Sequence, residues 1–161
     1  MRSWAVAIRR VQHVAISTTD LDRAVAFWAE LGFREVRRWD WSTGNAVING
    51  FLGLADSAAR AALLEGHDSG VEIFEFVVPR PPGGDERPVH RLGFTHLCLE
   101  VDGIDAEVGR LRAAGMTFWD DPVTDPSGRR MVYGRDPDGN VIEMVEPIGP
   151  IEPPSGRRAD T

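Results

Sequence analysis

Cysteine is nearly absent from this chain: Cys98 is the only one among 161 residues, so no disulfide can form within it. Basic charge is also short. Lys and Arg total 18 against 25 Asp and Glu, and the formal charge of -7 repels phosphate backbones, so no nucleic-acid partner is expected. Long apolar runs are missing as well. The N-terminal MRSWAVAIRR is too short in apolar residues for a signal peptide or a membrane span, so no membrane partner is expected and the cytoplasm is the expected compartment. What is present is 42% hydrophobic content, enough for a proper core in one compact domain.

Histidines number only four, yet two of them, His13 in VQHVAIST and His96 in GFTHLCLEV, stand in matching apolar runs. After His13, Asp20 is placed to cap a helix with apolar positions at Leu21, Val25, Trp28 and Leu31 and a stop at Gly32. After His96, a second helix carries Ile104, Val108 and Leu111 and stops at Gly115. Each glycine lies 19 residues beyond its histidine, and Asp22 and Val25 fall on Asp105 and Val108, so the chain repeats itself. Strand-like runs follow in each half, at 46–54, 61–65 and 71–78, then at 117–119, 130–133 and 140–145. Each module is therefore expected to run strand, helix, then three strands. The modules span 9–79 and 92–147, with the Gly/Pro-rich stretch 80–91 as a linker and 148–161 as a flexible tail.

A strand alternates its side chains, so His13 shares a face with Ala15 and Ser17, and His96 shares one with Phe94, Cys98 and Glu100. The small neighbours leave room for a cavity. At the far end of each module, GVEIFEF and NVIEMVE set a carboxylate inside an apolar strand, which is costly unless the charge is paired or bound to a cation. Glu72 and Glu75 compete in the first module and have opposite parity. Aligning VEIFE on IEMVE matches Glu72 to Glu143 and Glu75 to Glu146, which favours Glu72. Two imidazoles and two carboxylates, one of each per module, suit a divalent first-row metal: His13, Glu72, His96 and Glu143. The alternative for each residue taken singly is a hydrogen-bonded core histidine or an edge carboxylate.

For substrate, Trp39 and Trp41 share one face of RRWDW and are candidates to line an apolar pocket, or are ordinary core aromatics. Arg130 and Tyr133 are candidates to meet an anionic substrate, with Arg129 and Arg130 otherwise solvated beside a PSG turn. His67 and His90 lie in polar, loop-like surroundings and receive no role.

The run GFTHLCLEVDGID followed by GRDPDGNVIEMVEP resembles the vicinal oxygen chelate superfamily, which includes glyoxalase I, methylmalonyl-CoA epimerase, extradiol dioxygenases and bleomycin-resistance proteins. The resemblance covers about residues 9–147. It implies an α+β fold in which two βαβββ modules form a half-open mixed β-barrel with flanking helices. It further implies one divalent metal ion (Zn, Ni, Co, Mn or Fe) held by His13, Glu72, His96 and Glu143, and a small oxygen-chelating metabolite as substrate. The activity implied is proton transfer next to a carbonyl by an isomerase, epimerase or lyase, with Glu143 as the base and Glu72 as the second candidate. Thr95 stands where epimerases of this kind often carry a second histidine. The alternatives are an extradiol-type dioxygenase, which the additional carboxylate argues against, and a resistance-type protein that binds a drug or metabolite without turnover. By analogy a homodimer is expected, with modules pairing within a chain or across it.

Overall fold

The computed structural model describes residues 8–81 and 87–147. The expected flexible tail, 148–161, lies outside the described residues, as does part of the expected linker. The chain divides into two compact units, residues 1–86 and 87–161.

In the first unit the order is β1 (Val14–Ser17), α1 (Leu21–Glu30), β2 (Arg34–Trp41), α2 (Ala46–Leu52), β3 (Ala58–Gly66) and β4 (Ser69–Val78). Helix α1 starts where the Asp20 carboxylate accepts the Arg23 backbone N–H, and it buries Leu21, Ala24, Phe27 and Trp28. The chain leaves it through Gly32 at φ 84, a conformation that costs a residue without Cβ little. The sheet is open and mixed, in the order β1-β4-β3-β2, with β1 parallel to β4. Its apolar positions Val71, Ile73, Ala62 and Leu64 are fully buried.

The second unit repeats the plan: β5 (Leu97–Glu100), α3 (Ile104–Ala113), β6 (Thr117–Phe118), β7 (Val123–Thr124), β8 (Arg130–Arg135) and β9 (Val141–Glu146). Its sheet runs β5-β9-β8-β6, with β5 parallel to β9 and the short β7 also paired to β8. Helix α3 buries Ile104, Val108 and Leu111, the three positions its periodicity marks. The protein is thus α+β, built of two βαβββ modules, each with its own sheet.

One expectation fails in detail. Residues 46–54 form no strand: 46–52 are the helix α2, capped by the Asn45 side chain, which accepts the Ile48 N–H, and closed by Gly53 at φ 66. Its run of Val47, Ile48, Phe51 and Leu52 is strand-like in composition, but Ile48 and Asn49 turn inward while Val47 and Phe51 are exposed, which is helical spacing. The strand missing from the count is β2, which begins at Arg34 and includes RRWDW.

Candidate metal and substrate site

The parallel pairings carry the repeat down to single residues. In the first sheet Ala15 registers with Glu72, and in the second Cys98 registers with Glu143. Each histidine lies two residues before that position and therefore leans over the same face as the glutamate of the neighbouring strand. His13 Nε2 comes 3.4 Å from Glu72 Oε2, and His96 Nε2 comes 3.1 Å from Glu143 Oε2.

Glu75 and Glu146 face the other way. Glu75 accepts the N–H of Leu21 at the start of α1 and an N–H of Arg60. Glu146 accepts the N–H groups of Gly103 and Ile104 at the start of α3 and pairs with Arg130 at 3.5 Å. Both therefore neutralise partial charge at a helix N-terminus, on the opposite side of their strands from Glu72 and Glu143.

The histidine ring orientations test whether these pairs fit a metal ion. Nδ1 of His13 hydrogen-bonds the side-chain oxygen of Gln12, so Nε2 holds the lone pair directed at the Glu72 carboxylate. A lone pair facing a carboxylate at 3.4 Å is an arrangement in which the two can share a metal ion. Two ligands each about 2.1 Å from one ion lie about 3.0 Å apart at right angles and about 3.4 Å apart at the tetrahedral angle, and the two observed separations match that range. His96 Nδ1 lies 2.9 Å from the Thr95 hydroxyl, and its Nε2 faces Glu143. The donor set fits a divalent ion. Within neither unit do three His, Cys, Asp or Glu side chains form a metal-holding group among the described residues.

Glu143 has further company. Tyr133 registers directly across from it on β8, and Cys98 directly across on β5. Both therefore stand beside Glu143 on neighbouring strands. Burial, and then the adjacent Glu143, push the Cys98 thiol up to about 11 and the Tyr133 phenol above its ordinary value, so both keep their protons at neutral pH. The Tyr133 ring meets the His96 ring edge-on at 5.3 Å and stacks on Trp119 at 5.6 Å. Trp119 is half exposed, so the second sheet presents an aromatic surface that begins at His96.

On the first sheet, Trp39 and Trp41 do share the face of Glu72, through the registers Trp39 to Ala61 and Leu63 to Glu72. Trp41 is buried and donates its Nε1–H to Ser57 Oγ, while Trp39 stays half-buried beside Phe74, Phe76 and Ile48 of α2. Arg130 is a correction: it lies on the helix side of its sheet, bound through two hydrogen bonds of 2.6 and 2.8 Å to Asp105, and not on the side of Glu143. His67 donates its Nε2–H to the Leu31 carbonyl at the end of α1.

Residues that the motif reading passed over are Trp119, Phe74, Phe76 and Arg37. Phe74 and Phe76 were available from parity alone, being two and four residues after Glu72 on one strand. Trp119 had no such signal, since β6 is only two residues long and ends before it.

Comparison with known proteins agrees with this architecture. The chain is 33% identical over 151 residues to a 2-epi-5-epi-valiolone epimerase from an Actinomyces species, covering 84% of this chain and 78% of that one. It is 28% identical over 142 residues to the lactoylglutathione lyase of Schizosaccharomyces pombe, covering 85% of this chain but only 45% of that relative. Among solved structures, a glyoxalase family protein from Bacillus cereus superposes with a TM-score of 0.81 at 25% identity, over 92% of this chain and all of the other. No helix among the described residues is long and apolar enough to cross a membrane. The profile of the Glyoxalase/Bleomycin resistance protein/Dioxygenase superfamily matches residues 10–144, and the chain belongs to that superfamily.

Proposed function

We propose that the protein is a divalent-metal enzyme that moves a proton on a carbon next to a carbonyl, as an epimerase, isomerase or glyoxalase-type lyase. The observation that carries this reading is the repeated pair, His13 with Glu72 and His96 with Glu143, each at the separation two ligands of one ion adopt. His13 with Glu72, and His96 with Glu143, would each supply two ligands to a divalent ion. What a bound divalent ion supplies is Lewis acidity toward two neighbouring substrate oxygens, which lowers the cost of charge developing beside the reacting carbon.

The chain's own residues do the rest. Glu143 is the base that takes the proton from the substrate carbon, with Tyr133 and Cys98 flanking it on the two neighbouring strands. Glu72, against the other histidine, is the second candidate for that role. Within the second unit, Tyr133 stacked on Trp119 offers apolar surface beside Glu143 for the substrate. The substrate is a small metabolite, the setting is cytoplasmic, and the protein works as a homodimer.

The test follows solvent deuterium into the carbon next to the carbonyl by NMR. The metal-loaded protein is incubated in D2O with lactoylglutathione and with 2-epi-5-epi-valiolone, the compounds in the relatives' names. Exchange on either compound that falls at least about 100-fold in Glu143→Gln, with binding retained, is the expected outcome. Undiminished exchange in the variant would remove Glu143 as the base. The exposed aromatic surface at Trp119 favours a second reading, a ligand-binding protein without turnover, which no exchange on any chelating substrate despite tight binding would support.

A further inference from the structure

The chain contains no lysine: all 18 of its basic residues are arginine. In the strands these arginines are mostly committed. Arg38 is paired to Asp22 and Glu35, Arg60 to Asp22 and Glu75, and Arg130 to Asp105 and Glu146, all on the helix sides of their sheets.

Arg37 differs in both face and company. It registers with Leu63, and Leu63 with Glu72, so Arg37 rises from the same face as the metal-binding candidate. Two inter-strand spacings put its Cα about 10 Å from that of Glu72. The side chain is exposed and no carboxylate meets it among the described residues; instead its guanidinium lies 5.0 Å from the ring centroid of Trp39, the next residue on that face. A cation–π contact of this kind leaves the guanidinium N–H donors free to form the fork that matches a carboxylate. In a protein of net charge -7, an anionic substrate needs such a local cation to be held against the general field.

We propose that Arg37, placed against Trp39, is a specificity-determining residue that binds a carboxylate on the substrate. The ligand class is then a carboxylate-bearing metabolite whose chelating oxygens lie toward Glu72 and whose anionic group lies on the order of 6 Å from them, the span left by the arginine's reach. This rests on the metal-dependent reading above.

The experiment titrates the full chain, loaded with Mn2+, by calorimetry with two probes that share one chelating end: succinate monohydroxamate and its uncharged methyl ester. Wild type is expected to bind the acid at least about tenfold more tightly than the ester, and Arg37→Gln is expected to bind both alike, because only the charge-assisted bond is removed. Equal binding of acid and ester by wild type, or the same preference in Arg37→Gln, would overturn the role of Arg37 while leaving the metal reading intact. Failure of both probes to bind wild type would overturn the metal reading and the inference together. Because Arg37 is exposed, the variant is expected to keep the wild-type melting temperature.

Discussion

At Asp22 the two carboxylate oxygens each meet a guanidinium, Oδ1 that of Arg38 and Oδ2 that of Arg60, and at Asp105 both oxygens meet Arg130. Those arginines hold both carboxyls below their ordinary value of 3.8. A folded-state value below the unfolded one means that the stability these groups contribute is complete above the unfolded value. It is lost as pH falls from about 3.8 through the lower folded values. The double variant Asp22→Asn, Asp105→Asn is therefore expected to lose less of its urea midpoint between pH 5 and pH 2 than wild type does. Parallel acid limbs in the two proteins would contradict this. Asp136 runs the other way, since burial raises its carboxyl, but it is common to both proteins and cancels in the comparison. The same residues explain an orientation: with Glu75 and Glu146 committed to the helix side, strand parity sends Glu72 and Glu143 to the opposite face.

Helix α2 is held to its sheet by a short polar chain. Trp41 Nε1–H donates to Ser57 Oγ at 3.0 Å, the Ser57 hydroxyl donates to Asn49 Oδ1 at 2.6 Å, and Ser57 is fully buried. Ser57→Ala leaves a buried donor and acceptor without partners, so chemical denaturation is expected to show a loss of about 1–3 kcal/mol. On β8, a Cβ at Gly134 would lie 2.5 Å from the Thr117 backbone oxygen and 2.8 Å from Met116 Cε. Gly134→Ala is expected to cost about 1–3 kcal/mol through overpacking between β6 and β8, measured the same way. Both helices α1 and α3 were legible from period and cap, because an amphipathic face, a capping residue and a terminal glycine coincide there. Helix α2 was not, since its β-branched and aromatic residues imitate a strand and its seven residues are too few for a period to emerge. Strand parity puts Glu72 and Glu75 on opposite faces, as the strand has them, whereas Arg130 was a candidate by charge alone, and its partner Asp105, 25 residues away, gives no local signal.

For the molecule as a whole, the repeat is the main argument. Two stretches of different sequence fold to the same βαβββ plan, and each brings one imidazole against one carboxylate at 3.1–3.4 Å on a parallel strand pair. A ligand that binds only the folded state stabilises it, by about 2.7 kcal/mol at a hundredfold excess over its dissociation constant. Divalent ions are accordingly expected to raise the melting temperature of wild type and leave that of His13→Ala unchanged; an equal rise in both would place the ion elsewhere. The most direct test of the account is elemental analysis of protein purified without added metal, comparing wild type with His96→Ala. One divalent ion per site in wild type that is lost in the variant is the predicted result. Full metal content in the variant, or none in wild type even after reconstitution, would contradict the assignment of the paired histidines and glutamates to a metal site.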